Sequence, residues 1–153
     1  MERVMEKVQG NRNGWSFFSL PWAPSVNHYY QRSKRSLFLS QRGRRFRDDV
    51  AGILRPCSPI PESNYIEMKV DLFPPDKRKR DIDNNLKALL DALENAGAYE
   101  NDVQIISLSI VKHGSIGKPG RIDVWFRPVK KISFHEDDSL INTKGTRYEN
   151  GGA

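Results

Sequence analysis

The 153-residue chain reads as a single α+β domain, a mixed β-sheet with two helices packed on one face. Three observations predict this class. Between Tyr65 and Leu72, apolar Ile66, Met68, Val70 and Leu72 alternate with Tyr65, Glu67, Lys69 and Asp71, the period of a half-buried strand. Two segments repeat instead at helical spacing: Phe46, Val50, Ile53 and Leu54, then Leu86, Leu89, Leu90, Leu93 and Ala96. The segments follow in the order β-α-β-α-β-β, and right-handed strand–helix–strand crossovers put both helices on the same side.

Taken in order, residues Met1 to Gly14 are polar and read as a flexible leader, so the folded domain is expected over 15–128. Trp15 to Leu20 is short, aromatic and apolar, a first strand that Pro21 and Pro24 end because proline cannot continue a ladder. The following SVNHYYQRSKRS reads as a loop. Ser40 is placed to cap the first helix, and Pro56 stops it. Pro74 and Pro75 end the second strand. The second helix is expected from about Asp81 to Gly97, a natural C′ residue. Val103 to Val111 is rich in β-branched residues, and its alternation slips between Ile105 and Ile106, which predicts a bulge. A glycine- and proline-rich turn then leads to a fourth strand over Arg121 to Phe126. Residues 129–153 lose periodicity and are expected to be mobile or loosely docked.

Hydrophobic residues make up 37% of the chain and the formal charge is +6, a balance that favours nucleic acid or another anionic surface as partner. No apolar run approaches the roughly 20 residues a membrane span needs, and the N-terminus has no apolar core of a signal peptide. Cys57 is the single cysteine, which excludes an intramolecular disulfide and a cysteine-based zinc site and points to the cytoplasm. In its proline-rich stretch it reads as a bystander thiol. His28, His113 and His135 are isolated and read as loop or surface packing. Tyr29 and Tyr30 are candidates for base stacking or for core, with core favoured for one of them.

The chemistry concentrates between Phe73 and Asp102. Asp81 and Asp83 flank Ile82, so both carboxylates can share one face at the start of a helix. Three hard oxygen ligands, with Asp102 as the third, suit Mg²⁺ or Mn²⁺, ions that polarise a phosphoryl group and activate water. The duller reading of a D-x-D pair is a turn or cap. A helix of about sixteen residues spans roughly 24 Å, so Asp102 reaches Asp81 only if its loop curls back or a second subunit supplies it. Lys87 lies at i+4 from Asp83, either in a helix salt bridge or as a cation on the scissile phosphate. Asp91 continues that stripe, open between an outer-shell role and a solvated acid. Lys77, Arg78, Lys79 and Arg80 abut the carboxylates and are expected to be exposed and to contact nucleic-acid phosphates. Seven cations between Gln31 and Arg47 (Arg32, Lys34, Arg35, Arg42, Arg44, Arg45 and Arg47), with no acid among them, read as a phosphate-contacting arm or as ordinary solubility.

From Leu20 to Phe126 the chain resembles the RusA-type Holliday junction resolvases, small endodeoxyribonucleases of phages and prophages. The likeness rests on RDIDNNLKALLDALENAG with the aspartate and DVQI segment after it, and on LPWAPSVNHYY near the start. It implies a Mg²⁺-dependent homodimer that nicks two opposed strands of a four-way junction, leaving 5′-phosphates. Asp81, Asp83 and Asp102 match the family's catalytic, metal-holding acids, Lys87 its catalytic lysine, and Asn84 the asparagine after the D-x-D pair. Where the family often has two acids before its DVQI-like segment, the first position here is Asn101, and Asn85–Leu86 invert the usual apolar–polar order. Leader and tail lie outside the likeness. The rival readings are a basic DNA-binding protein that does not cut, a nuclease for flaps and forks, and a metal-stabilised structural domain.

Overall fold

The structure, a computed structural model, describes residues 14–55 and 57–130. Pro56, nearly all of the predicted leader and the predicted tail past residue 130 lie outside the described residues. The elements are β1 (Ser16–Pro21), α1 (Val26–Tyr29), β2 (Tyr30–Arg32), β3 (Leu37–Leu39), α2 (Gln41–Leu54), β4 (Tyr65–Phe73), α3 (Leu86–Asn95), a 3₁₀ turn (Asp102–Gln104), β5 (Ile105–Lys112) and β6 (Arg121–Val129). A four-stranded sheet runs in the order β1-β6-β4-β5, and β2 and β3 form a separate hairpin. β6 is antiparallel to both β1 and β4, whereas β4 and β5 are parallel. Parallel neighbours need a crossover, and α3 with its flanking loops supplies it. The sheet is therefore mixed and the class α+β, as predicted, with a one-turn helix and a hairpin added.

Period-two burial builds the core. Ile66, Met68, Val70 and Leu72 of β4, Ile122, Val124 and Phe126 of β6, and Phe18 and Leu20 of β1 are buried. Phe46, Val50 and Leu54 of α2 and Ala88, Leu89, Ala92 and Leu93 of α3 complete the same cluster. Each such Leu, Ile, Val or Phe contributes about 1.5–3 kcal/mol by leaving water. Tyr29 is fully buried among them, so it is core and not a stacking platform.

Ser40 caps α2 as expected, its Oγ accepting from the Gly43 N–H at 2.9 Å. The register between β4 and β5 shifts between Ile66 and Glu67: Ile66 faces Ile105 and Glu67 faces Ser107. Ile106 is thus the extra residue, at the predicted bulge. The predicted start of the second helix is corrected: α3 begins at Leu86, after a turn over residues 82–85. The Asn84 carbonyl accepts from the Val26 N–H at 2.9 Å, and the Asn85 amide donates to the Ala23 carbonyl at 2.6 Å. These bonds tie the turn to the Ala23–Val26 segment, and the Asn84 carbonyl is thereby used outside the helix. At ten residues α3 is about 15 Å long. It ends as predicted, with Gly97 at φ 79°.

Candidate active site

The loop from Pro74 to Asn85 carries both acids of the D-x-D pair. Asp81 and Asp83 are exposed, and neither side chain has a hydrogen bond or ion pair among the described residues. Their basic neighbours turn elsewhere. Arg80 places two nitrogens on Asp76, at 2.7 and 2.9 Å, and Arg78 pairs with the same carboxylate at 3.4 Å. The Arg80 hydrogen bond, aided by the Arg78 backbone N–H, holds the Asp76 carboxyl well below the usual carboxylate range. Arg80 also lies 5.9 Å from the Trp22 ring centre, and Lys112 from β5 donates to the Arg80 carbonyl at 2.7 Å. The loop is thus clamped from both sides, with the two catalytic candidates left free.

At the second residue of α3, Lys87 donates to Asp91 Oδ1 at 2.7 Å, and the Tyr30 hydroxyl donates to Asp91 Oδ2 at 2.5 Å. Asp91 therefore joins the hairpin to Lys87. Its carboxylate, helped more weakly by Asp102 and Glu94, raises the Lys87 pKa, so Lys87 is a cation and not a base at neutral pH. Burial, then the bond to Asp91, pushes the Tyr30 phenol up to about 12, so it stays a donor. The i+4 alternative for Lys87 is met by Asp91 and not by Asp83.

Asp102 sits at the start of the 3₁₀ turn, and its N–H donates to Glu94 Oε2 at 3.2 Å. The turn is held by buried Gln104, whose amide nitrogen donates to the carbonyls of Ile60, Pro61 and Asn64 at 3.3, 2.9 and 3.0 Å. Its amide oxygen accepts from the N–H groups of Glu100 and Asn101. Asn101 accepts from the Val103 N–H, completing a capping box, so its side chain works here as a cap. Burial, and then the negative charges of Asp102, Glu94 and Asp91, drive the Tyr99 phenol far above the ordinary value, and its hydroxyl donates to the Leu90 carbonyl at 2.9 Å. Asp102 thus lies against Glu94 in the last turns of α3, and its charge adds a minor share to the raised pKa of Lys87. Among the described residues, however, no three Asp, Glu, His or Cys side chains of one chain come close enough to hold a metal ion. The acids are offered in two sets: Asp81 with Asp83 on the turn, and Asp102 beside the far half of α3.

Arg32, Lys34 and Arg35 project from the β2–β3 hairpin, and Arg42, Arg44 and Arg45 from the first turns of α2; all are exposed and none has an ion pair among the described residues. Arg42 and Arg44, in the first turn of α2, run against the helix dipole, each at a cost of about 0.3–1 kcal/mol. Lys77 and Lys79 are exposed and unpaired on the same terms, and Arg47 is engaged with the Tyr29 hydroxyl at 3.2 Å.

Tyr30 stands in the sequence as a candidate for base stacking or core, and its bond to Asp91 is a tertiary contact that no spacing encodes. Trp22 is visible in the sequence only as part of the LPWAPS signature, and Glu94 not at all. His113 packs, as expected, stacked on Phe73 with ring centres 4.5 Å apart and 3.1 Å from Asp71.

Residues 21–125 match the family described as Endodeoxyribonuclease RusA. The crossover junction endodeoxyribonuclease RusA of Escherichia coli K12 is 35% identical over 107 residues, covering 69% of this chain and 88% of that protein. The rusA endonuclease of Enterobacteria phage 82 matches equally, at 35% over 107 residues and with the same coverage. That of Enterobacteria phage HK97 is 38% identical over 96 residues, 62% of this chain and 80% of that protein. Among solved structures, the periplasmic domain of Helicobacter pylori MotB overlays at a TM-score of 0.37 with 16% identity, covering 76% of this chain and 78% of that one; so slight a likeness carries no argument.

Proposed function

The chain belongs to the RusA endodeoxyribonuclease family, and we propose that it works as a Mg²⁺-dependent homodimer that resolves Holliday junctions by paired, symmetric nicks. It is a crossover junction endodeoxyribonuclease. The observation that carries the finer reading is the division of labour on the 74–85 loop. Asp76 satisfies Arg78 and Arg80, which leaves the Asp81 and Asp83 carboxylates unneutralised beside a cationic surface.

Asp81, Asp83 and Asp102 offer the hard, exposed or part-exposed oxygens that suit Mg²⁺ or Mn²⁺. When bound there, such an ion supplies charge neutralisation and lowers the pKa of water. Lys87, kept protonated by Asp91, places a positive charge where the phosphate gains negative charge as water attacks in line and the 3′ oxygen departs. The products carry 5′-phosphates. Asp91 positions Lys87, and Asn84 lines the turn beside the acids. Lys77, Arg78, Lys79 and Arg80 and the arm of Arg32, Lys34, Arg35, Arg42, Arg44 and Arg45 hold the DNA backbone, a salt-sensitive interaction.

Two observations support a dimer. No three acids of one chain meet at metal-holding distance among the described residues, which favours a site completed by a second subunit over one completed by the loop alone. The edge strand β5 exposes apolar surface at Ile106 (53%) and Val111 (47%), and Val103 just before it is 72% exposed, a surface that a twofold mate would cover. Among the described residues no helix is long and apolar enough to cross a membrane; the proposed location is the cytoplasm, with the DNA.

The test is a comparison of labelled four-way junction, flap and linear duplex, each with and without Mg²⁺. Ligatable nicks at symmetric positions in the junction, faster than cutting of the other two, support the proposal. Faster cutting of the flap would favour the flap-and-fork reading, and binding without cutting would reduce the protein to a DNA-binding module.

A further inference from the structure

A cleft of about 470 Å³ opens between the Pro21–Ser25 segment, the first half of α2 and the 74–85 loop. Trp22, Arg42, Arg45, Lys79, Arg80 and Asn84 are among its lining residues. From this cleft we infer that the protein takes up one unstacked nucleotide of the junction strand adjoining the catalytic acids. The inference rests on the nuclease reading and adds a site to it.

The chemistry of the walls separates a nucleotide from a bare phosphate. A bare phosphate is held by cations and hydrogen-bond donors and gains nothing from apolar walls. This cleft has cations and also rigid apolar walls, with Pro21, Pro24 and Pro75 beside the Trp22 indole. Planar π-systems and guanidinium planes are what an unstacked base packs against, and the Arg80 guanidinium already lies 5.9 Å from the Trp22 ring centre. Bound to Asp76 through two nitrogens, Arg80 is pre-positioned and loses little freedom when a base arrives. Arg42, Arg45 and Lys79 have no ion pair among the described residues and remain available to the phosphate and the base edge. A single carboxylate, Asp49, also lines the cleft, so the local balance is strongly positive. The volume falls in the range of small-ligand sites and is of the order of one nucleotide.

Position argues for a nucleotide within a strand. Asn84 lines the cleft and directly follows Asp83. On the other side, Arg42 and His28 are shared with a second concavity lined by Tyr30, Gln31 and Arg44. A strand with one phosphate at the acids has its next residues led towards the cleft and then along the basic arm.

The experiment uses the full chain carrying Asp83→Asn, so that bound DNA stays intact, and a panel of four-way junctions. Each junction carries one 5-iododeoxyuridine at a successive position around the crossover; near-ultraviolet light joins iodouracil to an aromatic ring in stacking contact, and mass spectrometry identifies the residue. Joining at Trp22 from one or two adjacent positions, lost in Trp22→Leu while junction binding persists, is the expected result. Since the joined residue is identified in protein that retains Trp22, the result does not depend on the Trp22→Leu variant folding. Binding with joining only at other residues, or with none, overturns the cleft and leaves the nuclease reading standing. Failure to bind the junction at all removes both. Free 5-iododeoxyuridine monophosphate is the control: labelling of Trp22 by it and not by the junction overturns the strand assignment in favour of a free-nucleotide site.

Discussion

The Lys87 ammonium and the Asp91 carboxylate meet at 2.7 Å across one turn of α3. The other Asp91 oxygen is already occupied by the Tyr30 hydroxyl, so the lysine is held by a group that is itself held from the hairpin.

This predicts how Lys87 titrates. Its pKa is raised above the ordinary lysine value of about 10.4. A raised pKa means that the pair's contribution to stability is fully present below the unfolded value and is lost as pH rises through the folded one. Replacing Asp91 by Asn should lower the Lys87 pKa, measurable by NMR of ¹³Cε-labelled lysine. Cleavage should fall about tenfold, equivalent to about 1.4 kcal/mol of barrier, with junction affinity unchanged. Tyr30→Phe should move both readouts the same way by less. Titration of Lys87 at the same pH in wild type and Asp91→Asn would remove the positioning role.

Asp76 predicts an acid-side effect of opposite sign. Its folded pKa is depressed, chiefly by the Arg80 hydrogen bond. Its contribution is therefore full above the unfolded value of about 3.9 and lost as pH falls through the folded value. The Asp76→Asn variant should melt below wild type at pH 6 to 7, and the gap should close progressively below about pH 4. It should also weaken junction binding, because Arg78 and Arg80 lose the carboxylate that orients them. A melting gap that does not change with pH would show that charge is not the cause.

Gly43 tests packing against propensity. In an exposed helix, Gly→Ala gains about 1 kcal/mol. Here a Cβ on Gly43 would stand 2.4 Å from the Tyr29 carbonyl oxygen and 3.0 Å from its ring. Both belong to the segment that presents Tyr30 to Asp91. Gly43→Ala should therefore destabilise, by about 1–3 kcal/mol, and thermal denaturation decides the sign. Stabilisation would mean that α2 sits less tightly on Tyr29 than the structure has it.

The parts of this fold visible in the sequence are those set by local period. β4 alternates cleanly because one face meets the helices, and the bulge announced itself because two adjacent isoleucines cannot both follow a period of two. Ser40 as a cap and Gly97 as a stop were legible for the same local reason. The start of α3 was not. Aspartate and asparagine suit a first helical turn by composition, but their backbone and side-chain groups also serve turns. The choice was made by distant partners, the Val26 N–H and the Ala23 carbonyl. At the candidate site, Asp81 and Asp83 drew notice by spacing beside cations. Their freedom from those cations was hidden, because it depends on Asp76 capturing the arginines in three dimensions. Tyr30 stood out as an aromatic, but its partner Asp91 was hidden, and so was the contact of Glu94 with Asp102, because both form only once the chain has folded.

Everything proposed about catalysis requires Asp81, Asp83 and Asp102 to serve one reaction. The decisive measurement is the Mg²⁺-supported cleavage rate of a four-way junction by Asp81→Asn, Asp83→Asn and Asp102→Asn, with junction affinity measured in parallel. Each variant should lose about 100-fold or more in rate, at least about 2.7 kcal/mol, while binding as tightly as wild type or more so, since one carboxylate fewer repels phosphate. Cleavage at the wild-type rate by any of the three would contradict the assignment of that residue and break the three-acid site.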